Sequence, residues 1–196
     1  MLFVNWLKRT YSQNPNMTDL LSKIDNSWTL FLDRDGVINK KLDGDYVKTV
    51  DEFEFLKNSL ESIIGFSKYF HKIIIVTNQQ GIGKKLMTEE SLTIVHDHLK
   101  NEIEKNGGRI DAIYHAPKLA SENSIMRKPN TGMAIAAQKE FPSIDFTKSI
   151  MIGDSISDME FAENAGMNSV FIGTNNNYFC IKSLFDFYLK LQKSKL

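Results

Sequence analysis

Five short apolar runs recur along this chain: 28–33 (WTLFLD), 72–77 (KIIIVT), 110–115 (IDAIYH), 148–153 (KSIMIG) and 168–172 (NSVFI). They are too short for helices and apolar on both faces, which is how strands of a parallel sheet covered on both sides read. Between them lie stretches of helical period. Residues 58–70 place Leu60, Ile63, Ile64 and Phe70 on one stripe, and 88–105 place Leu92, Val95, Leu99 and Ile103 on another. Thr88, with Glu90 and Ser91 close behind, is a plausible N-cap for the second. Residues 131–141 and 156–165 continue the alternation, and 181–193 close it. Strand and helix in turn predict a doubly wound α/β fold with a mainly parallel sheet. Such sheets bind ligands beyond the carboxyl ends of their strands, where the strand order reverses.

Bulk properties narrow the class. The chain has 196 residues, enough for one domain with a proper core. We read 27–196 as that domain and 1–26 as an N-terminal extension, with a break at Asn14-Pro15-Asn16. Acidic and basic residues number 24 each, so no basic excess advertises nucleic acid. One cysteine, Cys180, permits neither an intramolecular disulfide nor a thiolate zinc cluster. The opening MLFVNWLKRTYSQNPN is too short in apolar residues for a signal sequence, and nothing approaches a membrane span. The expectation is a cytoplasmic, monomeric protein with a small-molecule substrate and no nucleic-acid or membrane partner.

Acidic and polar residues gather where the strands end. The first ends in Asp33 and Asp35, the second in Thr77-Asn78-Gln79-Gln80, and the fourth in Gly153-Asp154, with Asp158 four residues on. Lys128 lies in the loop Arg127-Lys128-Pro129. Four carboxylates converging on one crevice call for a cation, and oxygen-only ligands favour Mg²⁺. Thr77 and the point charge of Lys128 suit a phosphate. An aspartate beside Mg²⁺ can attack phosphorus, and a second carboxyl can protonate the leaving alkoxide and then activate water. Two irregular segments, 36–57 and 116–130, are placed to flank this crevice. His96 and His98 lie two apart on a helix and read as a solvated face, His115 as a strand-end residue and Cys180 as an inert filler. GIGKK after Gln80 lacks the spacing of a P-loop.

These residues resemble the haloacid dehalogenase superfamily over about 28–173. Its four motifs stand in order: DRDGV, the Thr77 of VTNQ, the Lys128 of RKP, and GDSISD. The longer strings FLDRDGVIN, DYV, VTNQQGIG, RKPNTGM and IGDSISDMEFAENAGM resemble the histidinol-phosphate and heptose-bisphosphate phosphatase group. The resemblance implies a Rossmann-like core without a large cap domain. It implies Asp33 as nucleophile and Asp35 as general acid/base, with Thr77, Arg127 and Lys128 completing the catalytic set. Mg²⁺ would be held by Asp33, Asp154 and the backbone carbonyl of Asp35, with Asp158 in support. Substrate contacts would come from Asp43, Gly44, Asp45 and Tyr46, from Thr77, Asn78, Gln79 and Gln80, and from Arg127 and Lys128. Many members carry a zinc loop of three cysteines and a histidine before RKP. Here YHAPKLASENSIMRKP has no cysteine, so the loop is expected to be zinc-free and held by packing or hydrogen bonds. The segment before GDYV is also about two residues longer than the usual spacing.

The implied reaction is removal of the 7-phosphate from a heptose 1,7-bisphosphate, a step toward nucleotide-activated heptose for surface glycans. Three alternatives stand beside it: a histidinol-phosphate phosphatase, a nucleic-acid 3′-phosphatase, and a non-catalytic binding module that kept the fold.

Overall fold

The structure, a computed structural model, describes residues 17–196. The break read at Asn14-Pro15-Asn16 lies outside the described residues. The elements are α1 (Met17–Lys23), β1 (Thr29–Leu32), α2 (Ser59–Phe66), β2 (Lys72–Asn78), α3 (Glu89–Lys105) and β3 (Ala112–Ala116). They continue as α4 (Gly132–Glu140), β4 (Ser149–Gly153), α5 (Ile156–Ala165), β5 (Asn168–Ile172), β6 (Phe179–Ile181) and α6 (Leu184–Lys193).

The six strands form one all-parallel sheet in the order β3-β2-β1-β4-β5-β6. The chain walks outward from β1 to β3, then crosses to β4 on the other side of β1. The order therefore reverses between β1 and β4. Leu32 pairs with Ile75 on one side and Ile152 on the other, so three strand ends lie level at this point. Asp33 continues the ladder by one residue, its N–H donating to the Ile152 carbonyl at 3.0 Å.

Alternation along the central strands sorts the core into two layers. Leu30, Leu32, Ile73, Ile75, Ile150 and Ile152 face the layer of α1, α2, α3 and α6. Phe31, Ile74, Val76 and Met151 face α4 and α5. Each such side chain contributes about 1.5–3 kcal/mol on burial, so the strand ends sit on a rigid base.

Element boundaries move where polar groups intervene. The helix expected over 58–70 stops at Phe66, because Arg109 donates to the carbonyls of Ser67, Phe70 and His71 and satisfies the chain in a turn. β3 begins at Ala112 rather than 110, since the Asp111 carboxylate takes the Ile73 N–H at 2.8 Å. α3 opens on a capping box between Thr88 and Ser91. β6 is an addition that the sequence pattern did not announce. Part of the N-terminal extension is docked: Leu20 and Leu21 of α1, and Ile24 after it, are buried in the core beside α6. Among the described residues no helix is long and apolar enough to cross a membrane.

Candidate active site

A crevice of about 210 Å³ opens at the carboxyl ends of β1, β2 and β4. Asp33, Asp35, Thr77, Asn78, Lys128, Asp154, Ser155 and Ser157 line it, and Lys41, Leu42, Asp45, Tyr46 and Val47 come in from the long first loop. Lys128 stands at its floor, 2% exposed. Its Nζ meets Asp33 Oδ1 at 2.8 Å and Asp158 Oδ1 at 2.6 Å, and donates to the Val76 carbonyl at 2.8 Å. One ammonium thus bridges the ends of β1 and β2 to α5. Asn78 clamps the loop that delivers it: Lys128 N donates to Asn78 Oδ1 at 3.0 Å and Asn78 Nδ2 to the Lys128 carbonyl at 3.2 Å.

Burial drives the Asp33 carboxyl up to about 7; Lys128 opposes this, and Asp158 and Asp35 add to it. Asp158 is fully buried. Its Oδ2 accepts from Ser155 N at 3.1 Å and Ser155 Oγ at 2.7 Å. The carboxylate is therefore both a helix cap and the anchor of Lys128. It packs so close to β4 that a Cβ on Gly153 would fall 2.3 Å from the Asp158 Cβ.

Asp35 is neutralised by its own neighbour. Arg34 is fully buried and donates to the Asp35 carboxylate from Nη2 at 3.0 and 2.9 Å and from Nε at 3.3 Å. Asn39 Nδ2 donates at 2.9 Å and Gln79 Nε2 at 2.7 Å. Burial works to raise the Asp35 pKa, but Arg34, Asn39 and Gln79 outweigh it and hold the carboxyl below its ordinary value. The two neighbouring aspartates thus tolerate each other partly through the arginine between them, and not through a metal alone. Gln79 Nε2 also donates to Thr77 Oγ1 at 2.9 Å, tying Asp35 to the end of β2.

Asp154 is the carboxylate least provided for. Lys41 Nζ reaches its Oδ2 at 3.3 Å, while its Oδ1 is buried without a hydrogen-bond partner. Burial raises its pKa, opposed by Lys41. Carboxylate oxygens of Asp33, Asp154 and Asp158 lie within 4.8 Å of one another, the one such cluster among the described residues. Asp158 has spent both oxygens, which leaves Asp33 and Asp154 to hold a cation. An all-oxygen set with an orphaned buried anionic oxygen fits Mg²⁺. Gly36 permits this closeness: φ is +87° and a Cβ there would fall 2.2 Å from Asp154 Oδ2.

The expected residues divide into two groups. Asp33, Asp35, Thr77, Asn78, Lys128, Asp154, Asp45 and Tyr46 line the crevice. Gln79 is wholly buried and holds Asp35 and Thr77 in place. Asp43, Gly44 and Gln80 are outside the lining, the first two exposed. Arg127 also lies outside it, half-buried, with Nη1 buried and unpartnered. The segment 116–130 is held by hydrogen bonds, among them Leu119 N to Glu122 Oε2 at 2.7 Å and Asn130 Nδ2 to the Ser124 carbonyl at 3.0 Å. Sequence reasoning missed Arg34 and Lys41, and it misplaced His96. His96 is buried, not solvated, with Nε2 3.0 Å from Arg34 Nη1. Its position four residues after Leu92 puts it on the apolar stripe of α3, and that was the available signal.

Comparisons with known proteins place the chain in a family. Residues 125–178 match a family model described as HAD-hydrolase-like. The D-glycero-alpha-D-manno-heptose-1,7-bisphosphate 7-phosphatase of Mycobacterium tuberculosis (strain ATCC 25618 / H37Rv) is 37% identical over 139 residues, 71% of this chain and 73% of that protein. The protein of the same name from Campylobacter jejuni is 38% identical over 143 residues, 73% of this chain and 80% of its own length. The D-glycero-beta-D-manno-heptose-1,7-bisphosphate 7-phosphatase of Photorhabdus laumondii is 36% identical over 68% of this chain and 73% of its own length. The crystal structure of D,D-heptose 1,7-bisphosphate phosphatase from B. bronchiseptica, complexed with magnesium and phosphate, superposes with a TM-score of 0.77 at 26% identity. It covers 85% of this chain and 98% of that one.

Proposed function

This chain belongs to the heptose-bisphosphate phosphatase family of haloacid dehalogenase-type hydrolases, and we propose that it removes the 7-phosphate of a D-glycero-D-manno-heptose 1,7-bisphosphate through an aspartyl-phosphate on Asp33. The observation that carries this reading is the convergence of Asp33, Thr77, Lys128 and Asp154 on one crevice at the switch point of the sheet.

Mg²⁺, held by Asp33 and Asp154, would neutralise phosphate charge. Thr77 and Lys128 would take the remaining phosphate oxygens and hold the phosphorus in line with the Asp33 carboxylate. An Asp33 oxygen attacks phosphorus, the bond to the sugar oxygen breaks, and Asp35 gives that oxygen its proton. In the resting site Asp35 is held ionised by Arg34, Asn39 and Gln79. An arriving phosphate adds negative charge beside it and raises its affinity for a proton. In the second half Asp35 takes a proton from water as the water attacks phosphorus, which frees Asp33 and releases inorganic phosphate.

Domain 27–196 would carry the whole reaction, acting as a monomer in the cytoplasm without nucleic-acid or membrane partners. The product heptose 1-phosphate would feed nucleotide-heptose synthesis. Relatives named for both anomers match at similar identity, so the anomer is decided by assay.

The test is phosphate release from both heptose 1,7-bisphosphate anomers, histidinol phosphate and a 3′-phosphorylated oligonucleotide, with Mg²⁺, with EDTA, and with Asp33→Asn. Mg²⁺-dependent preference for one heptose anomer, lost in Asp33→Asn, is expected. Turnover by a clean Asp33→Asn preparation would sink the mechanism, and preference for another substrate would overturn the substrate assignment.

A further inference from the structure

Behind Asp35 lies a polar contact that the proposed chemistry does not use. The Arg34 guanidinium turns Nε and Nη2 toward Asp35 and Nη1 toward His96 Nε2, at 3.0 Å. A guanidinium has donors only, so Nε2 accepts and the imidazole carries its proton on Nδ1. Burial opposes a charged ring, and the neighbouring Arg34 adds to this, holding His96 down to about 3. His96 is therefore a fixed neutral acceptor. It comes from α3, 62 residues from Arg34, at a stripe position where an aliphatic residue would fill the core without desolvating a polar ring.

We infer that His96 is a positioning residue for the reaction: by fixing the third corner of the Arg34 fork, it sets where the Asp35 carboxylate stands over the crevice. The inference rests on the reading of Asp35 as acid and base. Without an acceptor at position 96, Arg34 Nη1 is a buried donor with no partner, and the fork turns to find one. Asn39 and Gln79 still hold Asp35, so the carboxylate is displaced rather than lost. The defect falls on proton delivery to the leaving oxygen.

Leaving-group dependence tests this. An alkyl phosphate such as the heptose bisphosphate needs its leaving oxygen protonated, whereas p-nitrophenolate departs without help. kcat/KM reports the steps through departure, so slow hydrolysis of the aspartyl-phosphate does not mask the difference. Asp35→Asn is the benchmark and should lose about 10²–10⁴-fold on the sugar phosphate and far less on p-nitrophenyl phosphate. His96→Leu should lose about tenfold or more on the sugar phosphate, within that general-acid range, and less than about threefold on the aryl ester. His96→Gln, whose Oε1 can accept from Arg34, should stay within about threefold of wild type on both. His96→Met, with only a weak acceptor, replaces the leucine variant if that one does not fold.

Equal losses on both esters, no loss on either, or a glutamine variant as impaired as the leucine variant overturns the inference. If Asp35→Asn shows the leaving-group effect and His96→Leu does not, the inference alone falls. If Asp35→Asn shows none, the role of Asp35 falls and the inference with it.

Discussion

Lys128 joins carboxylates from two parts of the fold, so its removal should be felt in stability as well as in turnover. Lys128→Met keeps most of the aliphatic stem and deletes the charge. The lost contacts are those to Asp33 at 2.8 Å, Asp158 at 2.6 Å and the Val76 carbonyl at 2.8 Å, all at a residue 2% exposed. Removing one partner of a buried ion pair costs about 3–5 kcal/mol, because the remaining charge has neither water nor counter-ion. That is a large share of the roughly 5–15 kcal/mol that holds a domain together. Asp158→Asn in the Lys128→Met background deletes one of the two stranded charges and should restore about 1–3 kcal/mol, a coupling visible in a double-mutant cycle. Phosphatase activity should not return with it.

The pH dependence has a definite sign. Burial holds the Asp33 carboxyl up to about 7 even with Lys128 present. A folded pKa above the unfolded one means that the folded state binds the proton more tightly. The associated stability is full below the unfolded pKa and is lost as pH rises through the folded value. Loss of Lys128 raises Asp33 further, so the deficit of Lys128→Met should widen from about pH 5.5 to about pH 8. Urea unfolding in EDTA at the two pH values measures this. A variant within about 1 kcal/mol of wild type at the higher pH would refute the reasoning, as would a deficit that narrows with rising pH. Further destabilisation by Asp158→Asn in that background would refute the charge argument specifically.

The same Asp33 shift links Mg²⁺ binding to proton release. Since Asp33 must ionise to bind the metal, affinity should fall toward tenfold per unit below about pH 7, with close to one proton released in calorimetry in buffers of differing ionisation enthalpy; pH-independent affinity across that range contradicts this. Lys41→Met removes the cation paired with Asp154 and should tighten Mg²⁺ binding to the substrate-free protein severalfold, whereas unchanged or weaker binding would mean that the pair does not compete with the metal. Gly36→Ala should cost about 1–2 kcal/mol from its positive φ and abolish turnover by pushing Asp154 aside, and a folded, fully active variant would show that the close approach is not needed.

Much of this site is legible in the sequence because strand ends are easy to locate. A run such as KIIIVT has one reading as a buried strand, and whatever follows it must stand at the mouth of the sheet. Asp33, Thr77 and Asp154 are visible for that reason, whereas Lys128 sits in a loop between β3 and α4 and is picked out by the RKP string alone. The second layer is not visible, because periodicity reports which positions are buried and not what a polar side chain meets there. Arg34 reads as an exposed residue by type and is fully buried. The resemblance implies Asn78 and Gln79 as substrate contacts, and the sequence does not show that Gln79 also holds Asp35 or that Asn78, at the end of β2, also holds the Lys128 loop. β6 escapes notice because three residues, Phe179–Ile181, are too short for any pattern to register.

Charge bookkeeping explains why the fold needs that hidden layer. Asp35 is met by Arg34, Asp33 and Asp158 share Lys128, and Asp154 has only the side chain of Lys41, 55% exposed. The first three carboxylates are fixed by cations that are themselves buried, so they are held in place before any ligand arrives. The fourth is balanced by a flexible cation from the long first loop and keeps one oxygen unpartnered. A divalent cation would compete with Lys41 for Asp154, the carboxylate whose cation is exposed. The rigid part of the site, from the strand ends, is the part the phosphoryl chemistry requires. The part outside that frame is the stretch 41–47 of the long first loop, which brings Lys41, Leu42, Asp45 and Tyr46 to the crevice wall. Changes in that stretch can therefore alter which sugar is accepted while the phosphate-handling groups stay where they are.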